Sequence, residues 1–428
     1  MKIAFYTLGC KVNTYETESI WEIFKSHGYN RVKSDEYADV YIVNTCTVTN
    51  SGDSKSRKAI RKLIKNNPES VIAVMGCYSQ MDPEKVYEID GVDIVIGTKH
   101  REQIYPLVEK VLRERTRIKN VTDVSKYRVF DETHVTNFTE NTRAFLKIQD
   151  GCNNFCSYCI IPFARGPVRS RDKDSILEEA RDLVKNKYHE IVLTGIHTGG
   201  YGTDLEGYSF YDLLEDLSSI DNLDRIRLSS IEINELTEDI LNLIASNKKF
   251  AKHLHIPLQS GSERVLSEMR RKYTKDEFRN MIVNIRNIIP NIAITTDVIV
   301  GYPSETDEEY LEMFDFIKEM KFSELHVFPY SRRSGTIAAK MKDQINGIIK
   351  SYRVNQLLVL SEELANNYID AQNTLSVIFE TSDSEFTYGH SDNYLYVKTD
   401  KDLTLHNKLI DTKIIKGTHR NLYVKKIG

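Results

Sequence analysis

The sequence predicts a multidomain α/β protein: a doubly wound parallel sheet, then a partial (β/α)6 barrel, then a small β-barrel. Three observations predict it. At 428 residues the chain is long enough for about three units of roughly 150 residues each. Strand-like and helix-like stretches alternate through its first part and again from residue 144 to 331. From about Ser376 onward, short alternating stretches with polar turns replace that pattern.

In the first part, strands are expected over 2–9, 39–45, 70–76 and 92–98. Helices are expected from Thr17 to Ser26, Ser54 to Asn66, Pro83 to Tyr87 and Glu102 to Arg115. Alternation of this kind builds a parallel sheet with helices on both faces. Residues 117–143 are polar and without period, and read as a linker after a first domain over 1–116. The second series places strands over 144–151, 190–196, 225–233, 252–259, 293–301 and 324–331. Helical patterns separate them, at Asp174–Lys187, Thr237–Ser246, Thr274–Ile288 and Asp307–Met320. Six strands with crossovers make a partial barrel, whose active site lies at the carboxyl ends of the strands. A longer helix, Gln344 to Gln372, closes this 144–372 unit, and a small barrel follows over 373–428.

Composition sets the bounds on function. Forty per cent of residues are apolar and 28% charged, an ordinary globular balance. Fifty-eight basic against 62 acidic side chains give a net charge of −4, which excludes a wholly basic nucleic-acid coat but not a local basic surface. No apolar run approaches the ~18 residues of a membrane span. The opening MKIAFYTLGC is too short for a signal-peptide core, and Lys11 and Asn13 follow at once. The expectation is a cytoplasmic protein with no membrane contact, in a compartment that keeps thiols reduced.

The six cysteines therefore read as ligands. Cys10, Cys46 and Cys77 each fall just after an expected strand, roughly 30 residues apart. In an open parallel sheet those strand ends share one edge, so the three converge in space. One cysteine so placed is ordinarily a buried structural residue; three at equivalent positions form a set. Cys152, Cys156 and Cys159 lie in CNNFCSYC, a Cys-x3-Cys-x2-Cys loop after the first barrel strand. Three thiolates this close suit a [4Fe–4S] cube and leave its fourth iron open. Structural zinc would want a fourth ligand, and neither His189 nor His197 has ligand-pair spacing.

Cys-x3-Cys-x-aromatic-Cys, with Tyr158 as the aromatic, resembles the signature of radical S-adenosylmethionine enzymes. LTG at 193–195, HIPLQSGS at 255–262 and DVIVGYPSET at 297–306 resemble later strand ends of that superfamily's barrel. The resemblance implies S-adenosylmethionine as cofactor, with Tyr158, Thr194, Gly195 and Gln259 near it; Glu232, in RLSSIEI, approaches the cofactor or caps the sheet. The whole chain resembles the methylthiotransferase family. TLGCKVNTYETE, VNTCTVTN and MGC match its N-terminal domain, IPFARGPVRSR follows the triplet as it does in the family, and YGHSDNYLYVKT matches the RNA-binding TRAM module, an OB-like barrel. The family implies two [4Fe–4S] clusters, a second one on Cys10, Cys46 and Cys77. One S-adenosylmethionine there methylates a cluster-borne sulfur, and a second is cleaved to a radical that activates a C–H bond. An external electron donor and sulfur source are implied, and nothing in the sequence demands an oligomer.

The family acts on two tRNA adenosines or on a ribosomal-protein aspartate. GCKVNTYE and VNTCTVTN resemble the threonylcarbamoyl branch, whereas the isopentenyl branch usually reads GCQMN. The expected product is 2-methylthio-N6-threonylcarbamoyladenosine at position 37 of tRNA. A non-catalytic iron–sulfur RNA-binding or electron-transfer protein is the alternative of another class. For RNA contact, Arg57, Lys58, Arg61 and Lys62 crowd one expected helix together with Lys55 and Lys65. Lys413, Lys416 and Arg420, with Lys425 and Lys426, make a basic tail without acids after Asp411. Either set is equally well a solvated charged face. Arg165, Arg169 and Arg171 are candidates for cofactor or phosphate contact, or for pairing with acids; His197 faces substrate or is an ordinary hydrogen-bonded histidine.

Overall fold

Runs of Val, Ile and Ala buried on both faces make the strands of the first sheet, the pattern of a parallel sheet covered by helices. The computed structural model describes residues 1–139 and 142–427. It orders six parallel strands 2-1-3-4-5-6. These are β1 (Lys2–Thr7), β2 (Asn30–Val32), β3 (Val40–Thr45), β4 (Val71–Gly76), β5 (Ile94–Ile96) and β6 (Ile118–Asn120). Helices α1 (Lys11–Ser26), α2 (Asn50–Asn66), α3 (Cys77–Met81), α4 (Pro83–Tyr87) and α5 (Ile104–Glu114) pack around it. One apolar cluster holds Phe24 and Ile42 and another holds Val43 and Ile60, so both faces are filled.

Three local features depart from expectation. The edge strands β2 and β6 are three residues long with two of the three polar, so pairing to a neighbour creates them, not hydrophobic period. β6 falls inside 117–143, and the rest of that stretch is irregular but packed, with Val124, Val135 and Phe138 buried. It is no free linker. Glu140 and Asn141 within it, and Gly428 at the end of the chain, lie outside the described residues. Helix α1 begins at Lys11, not Thr17, because its first turns bury Asn13 and Glu16 alongside Val12 and Tyr15, which hides the usual amphipathic signal.

The central unit carries β7 (Ala144–Lys147), β8 (Gln149–Asp150), β9 (Arg169–Ser170), β10 (Glu190–Thr194), β11 (Arg225–Leu228), β12 (His253–His255), β13 (Ala293–Val300) and β14 (Glu324–Pro329). Its six parallel strands stand as two three-stranded sheets, β7-β10-β11 and β12-β13-β14. A parallel bridge between Ile226 and Phe250 joins them. The expected first strand breaks after Lys147, where β8 turns to pair with β9 instead. Between β8 and β9 run the cysteine loop and a short helix, α6 (Ile161–Arg165).

Strands β15 (Thr374–Ser382), β16 (Phe386–Ser391), β17 (Tyr396–Asp400), β18 (Leu409–Lys416) and β19 (Leu422–Lys426) close into a barrel ordered 15-16-17-19-18. It sits on the starting ends of the central strands. Arg225 donates to the Ser376 carbonyl at 2.8 Å, and Arg227 to those of Asp392 and Ser391 at 3.0 and 2.9 Å. Tyr394 stacks on His253 with centroids 4.8 Å apart. Among the described residues no helix is long and apolar enough to cross a membrane.

Candidate active site

Each cysteine of the first set follows a strand of the N-terminal sheet: Cys10 after β1, Cys46 after β3, Cys77 after β4. Backbone geometry puts them there. Gly9 and Gly76 hold φ of +112° and +101°, and a Cβ on Gly76 would stand 2.5 Å from the Thr45 carbonyl oxygen. Asn13 ties two of the loops together, its Nδ2 donating to Leu8 O at 2.7 Å and Thr45 O at 3.1 Å. A Cβ on Gly9 would stand 3.0 Å from Cys46 Cβ, and Asn13 Oδ1, 3.8 Å from Cys10 Sγ, shares with Cys77 Sγ the guanidinium of Arg165, so the three thiols form one group. Burial pushes Cys77 up to about 12, a thiol that stays protonated at neutral pH unless a metal takes its proton's place.

The second set lies on the loop between β8 and α6. Asn154 N donates to Cys152 Sγ at 3.4 Å, and Cys159 N to the Cys156 carbonyl at 3.0 Å. Ser157 anchors the loop from below, hydrogen-bonded through Oγ to Tyr302 at 2.8 Å and through N to Met269 O at 3.1 Å. Burial pushes Cys159 up to about 12 and Cys152 to about 11. All six thiols are free. Among the described residues no three His, Cys, Asp or Glu side chains close on a single ion. Two groups of three free, mutually interacting thiols fit the corners of a cluster in which each sulfur holds a different iron.

An arginine touches one sulfur in each set. Arg165, at the end of α6, is fully buried and donates from Nε to Cys77 Sγ at 3.1 Å and from its NH2 group to Asn13 Oδ1 at 2.9 Å. It also pairs with Asp150 at 3.5 Å and with Glu16 of α1, which in turn meets Lys147 at 2.9 Å and Arg101 at 3.2 Å. Burial alone would raise the Glu16 pKa, but Arg101, Arg165 and Lys147 overcome it and pull the group down to about 2. Arg271 donates to Cys156 Sγ at 3.4 Å, pairs with Glu232 and donates to Tyr273 at 3.1 Å. Sequence reasoning missed Asn13, Glu16, Arg271 and the Arg165–Cys77 contact, since none has a local signal.

A cavity of about 230 Å³ is lined by Cys159 of the second set and by the turn that follows Cys46 of the first. Tyr158 and Cys159 line it from the central loop, Gln259, Asp297 and Phe328 from the barrel strands, and Val48 and Thr49 from the turn after Cys46. Arg333 locks that turn down, donating to Asp53 at 2.7 Å and to Thr47 Oγ1 at 2.6 Å. Below the cavity the barrel lumen is charged: Arg227 pairs with Glu190 at 2.7 Å and His255 with Asp297 at 3.2 Å. Lys11 is the first residue of α1. Burial pulls it down to about 8, with Arg227 and Arg143 adding to the effect.

The other expected residues divide. Tyr158 and Gln259 line the cavity, and Glu232 reaches the cysteine loop through Arg271. Thr194 ends β10 3.5 Å from Ser229 Oγ, and Gly195 packs against Gln149; neither lines the cavity. Arg165, Arg169 and Arg171 are wholly buried and all three meet acids. His197 contacts Glu235 and Asn154, as an ordinary hydrogen-bonded histidine does. On α2, Lys58, Arg61 and Lys62 are exposed while Arg57 lies over Tyr78. Lys413, Lys416 and Arg420 are exposed on the small barrel.

Residues 2–97 match the uncharacterized protein family UPF0004 and residues 146–317 the radical SAM superfamily. The chain is 48% identical over 97% of its length, and 94% of the relative's, to the threonylcarbamoyladenosine tRNA methylthiotransferase MtaB of Bacillus subtilis. The chain belongs to the radical SAM methylthiotransferases. Another member, MtaB of Aquifex aeolicus, is 40% identical over 86% of this chain and 90% of its own. A tRNA-2-methylthio-N(6)-dimethylallyladenosine synthase of Carboxydothermus hydrogenoformans is 36% identical over 84% and 83%. Among solved structures, the radical S-adenosylmethionine methyltransferase TsrM of Kitasatospora setae superposes with a TM-score of 0.59 at 13% identity, over 79% of this chain and 76% of its own, a likeness of fold. As a radical SAM methylthiotransferase, the enzyme uses a [4Fe–4S] cluster and S-adenosylmethionine.

Proposed function

We propose that this methylthiotransferase inserts a methylthio group at C2 of N6-threonylcarbamoyladenosine at position 37 of tRNA. The observation that carries the reading is the cavity lined from both cysteine-bearing regions, by Tyr158 and Cys159 on one side and Val48 and Thr49 on the other. Cys152, Cys156 and Cys159 hold the cluster that binds S-adenosylmethionine, with Tyr158, Gln259 and Glu232 around the cofactor and Thr194 and Gly195 at the neighbouring strand end. Cys10, Cys46 and Cys77 hold a second [4Fe–4S] cluster. When bound, these groups supply a carbon radical and the sulfur to be transferred.

The chain's own residues bind and orient. Arg165 and Asn13 fix the first set relative to the second, because Arg165 stands six residues beyond Cys159 yet bonds Cys77. Arg333 holds the turn after Cys46 over the cavity, which keeps water from the reacting carbon. For tRNA, the small barrel offers stacked aromatics: Tyr388 and Tyr396 lie parallel at 5.7 Å, a surface on which a base can stack. The exposed bases of α2 and of β18 and its turn hold phosphates. The enzyme works as a cytoplasmic monomer, 1–116 carrying the second cluster, 144–372 the radical chemistry and 373–428 the RNA grip, and it draws electrons and sulfur from outside.

Mass spectrometry of tRNA nucleosides from a host lacking methylthiotransferases, with and without this protein, tests the reading. It expects 2-methylthio-N6-threonylcarbamoyladenosine. The isopentenyl product alone would move the enzyme to the other tRNA branch, and neither product would point to a protein substrate.

A further inference from the structure

Where the first domain meets the central unit, ion pairs join five cations to three acids. Glu16 Oε1 stands 2.9 Å from Lys147 and 3.2 Å from Arg101, and it also pairs with Arg165. Asp150 Oδ2 stands 2.8 Å from Lys147, 3.5 Å from Arg165 and 3.6 Å from Arg169. Asp131 Oδ2 stands 3.5 Å from Lys99 and 3.4 Å from Arg101. All five cations are at most 2% exposed. Among the described residues no fourth acid pairs with any of them. Lys99 Nζ, Arg101 Nε, and Nε and Nη2 of Arg169 have no hydrogen-bond partner. Burial pulls Lys99 down to about 7, yet with Lys99 neutral one positive charge is still unmatched. Buried charge in excess is costly unless an anion stands beside it. The network ends on the first cysteine set, where Arg165 donates to Cys77 Sγ at 3.1 Å.

We propose that these five cations are the counter-charge of the cluster on Cys10, Cys46 and Cys77 and that they raise its reduction potential. This rests on the second cluster proposed above and adds the residues that tune it. A [4Fe–4S] core held by three thiolates is anionic and gains a further negative charge on reduction, so charge and hydrogen bonds at its sulfurs move its potential. Positive charge in excess favours the reduced, more negative state. Arg165 is the point of contact. Arg101 and Lys147 join it through Glu16, Arg169 through Asp150, and Lys99 through Asp131 and Arg101. At the second set the arginine that meets a sulfur, Arg271, is matched by the single acid Glu232. The excess therefore belongs to the first set.

The test uses the full-length chain with Cys152, Cys156 and Cys159 changed to Ala and reconstituted with iron and sulfide, so that only the first set carries a cluster. Its midpoint potential is read by redox titration, with the reduced cluster followed by electron paramagnetic resonance. Arg169→Gln removes one positive charge without touching a sulfur, and Glu16→Gln removes one negative charge. The arginines that Glu16 meets keep their charge in that variant. Arg169→Gln is expected to lower the ratio of reduced to oxidised cluster at a fixed potential by about threefold to tenfold, tenfold being about 59 mV for one electron. Glu16→Gln is expected to raise that ratio by a similar factor. Opposite shifts separate a charge effect from loosened packing, which moves both variants alike. Equal potentials in all three proteins, or shifts of the same sign, overturn the proposal. No iron on the parent chain overturns the second cluster itself, and its counter-charge with it.

Discussion

Cys152, Cys156 and Cys159 stand on one eight-residue loop, whereas Cys10, Cys46 and Cys77 come together from the ends of β1, β3 and β4. The first arrangement is local, so the loop alone specifies it. The second exists only while a parallel sheet holds its register over three strands, and while Asn13 stitches two of its turns. The two also differ in their arginine. Arg271 reaches Cys156 from the same unit, but Arg165 crosses from the central unit to Cys77 of the N-terminal one. The dispersed set is therefore completed by its neighbour, and its integrity depends on contact between the two units.

The largest effect should come from the local set. Cys156→Ala is expected to abolish reductive cleavage of S-adenosylmethionine, measured as 5′-deoxyadenosine; robust formation by this variant would remove the loop from radical chemistry. Next comes the bridge. Arg165→Gln leaves Glu16 buried with only Lys147 and Arg101, and should cost about 3 kcal/mol in urea unfolding, the lower range for breaking a buried pair. Iron should fall by about the content of one cluster while 5′-deoxyadenosine formation persists. Loss of both clusters would mean that the two sets are one folding unit and that the contrast between them is false.

A smaller effect follows from pH. Glu16 is depressed from about 4.5 to about 2 on folding, so its stabilisation is complete above pH 4.5 and lost as pH falls towards 2. Urea midpoints for Glu16→Gln should accordingly vary less than wild type across that window; parallel curves would mean that the buried cluster of charges does not bridge the units. The smallest effect belongs to the surface. Arg61→Ala or Lys62→Ala on α2 should weaken tRNA binding modestly and lower its log–log salt slope by about 0.7 to 0.9 each. An unchanged slope would return this helix to an ordinary solvated face.

The same contrast decides what is legible in the sequence. The local triad is a string of letters, and the dispersed one can be found because each cysteine ends a hydrophobic run whose strand character is strong: VYIVNT and VIAVMG are buried throughout. Strands β2 and β6, by contrast, owe their existence to a neighbour's edge, which no window of sequence contains. The start of α1 is hidden because Asn13 and Glu16 are buried polar residues whose partners, Thr45 and Arg165, lie 32 and 149 positions away. Arg165 reads equally as a cofactor ligand or an acid's partner, and it proves to serve an acid and a cysteine at once.

The central claim is that two cysteine sets serve one cavity, the local one for radical formation and the dispersed one for sulfur. Purified Cys46→Ala tests it most directly, with 5′-deoxyadenosine and methylthiolated nucleoside quantified in the same reaction on threonylcarbamoylated tRNA. Continued formation of 5′-deoxyadenosine with no methylthio product is the expected result. Methylthio product at the wild-type yield would contradict it, and would remove Cys10, Cys46 and Cys77 from the reaction.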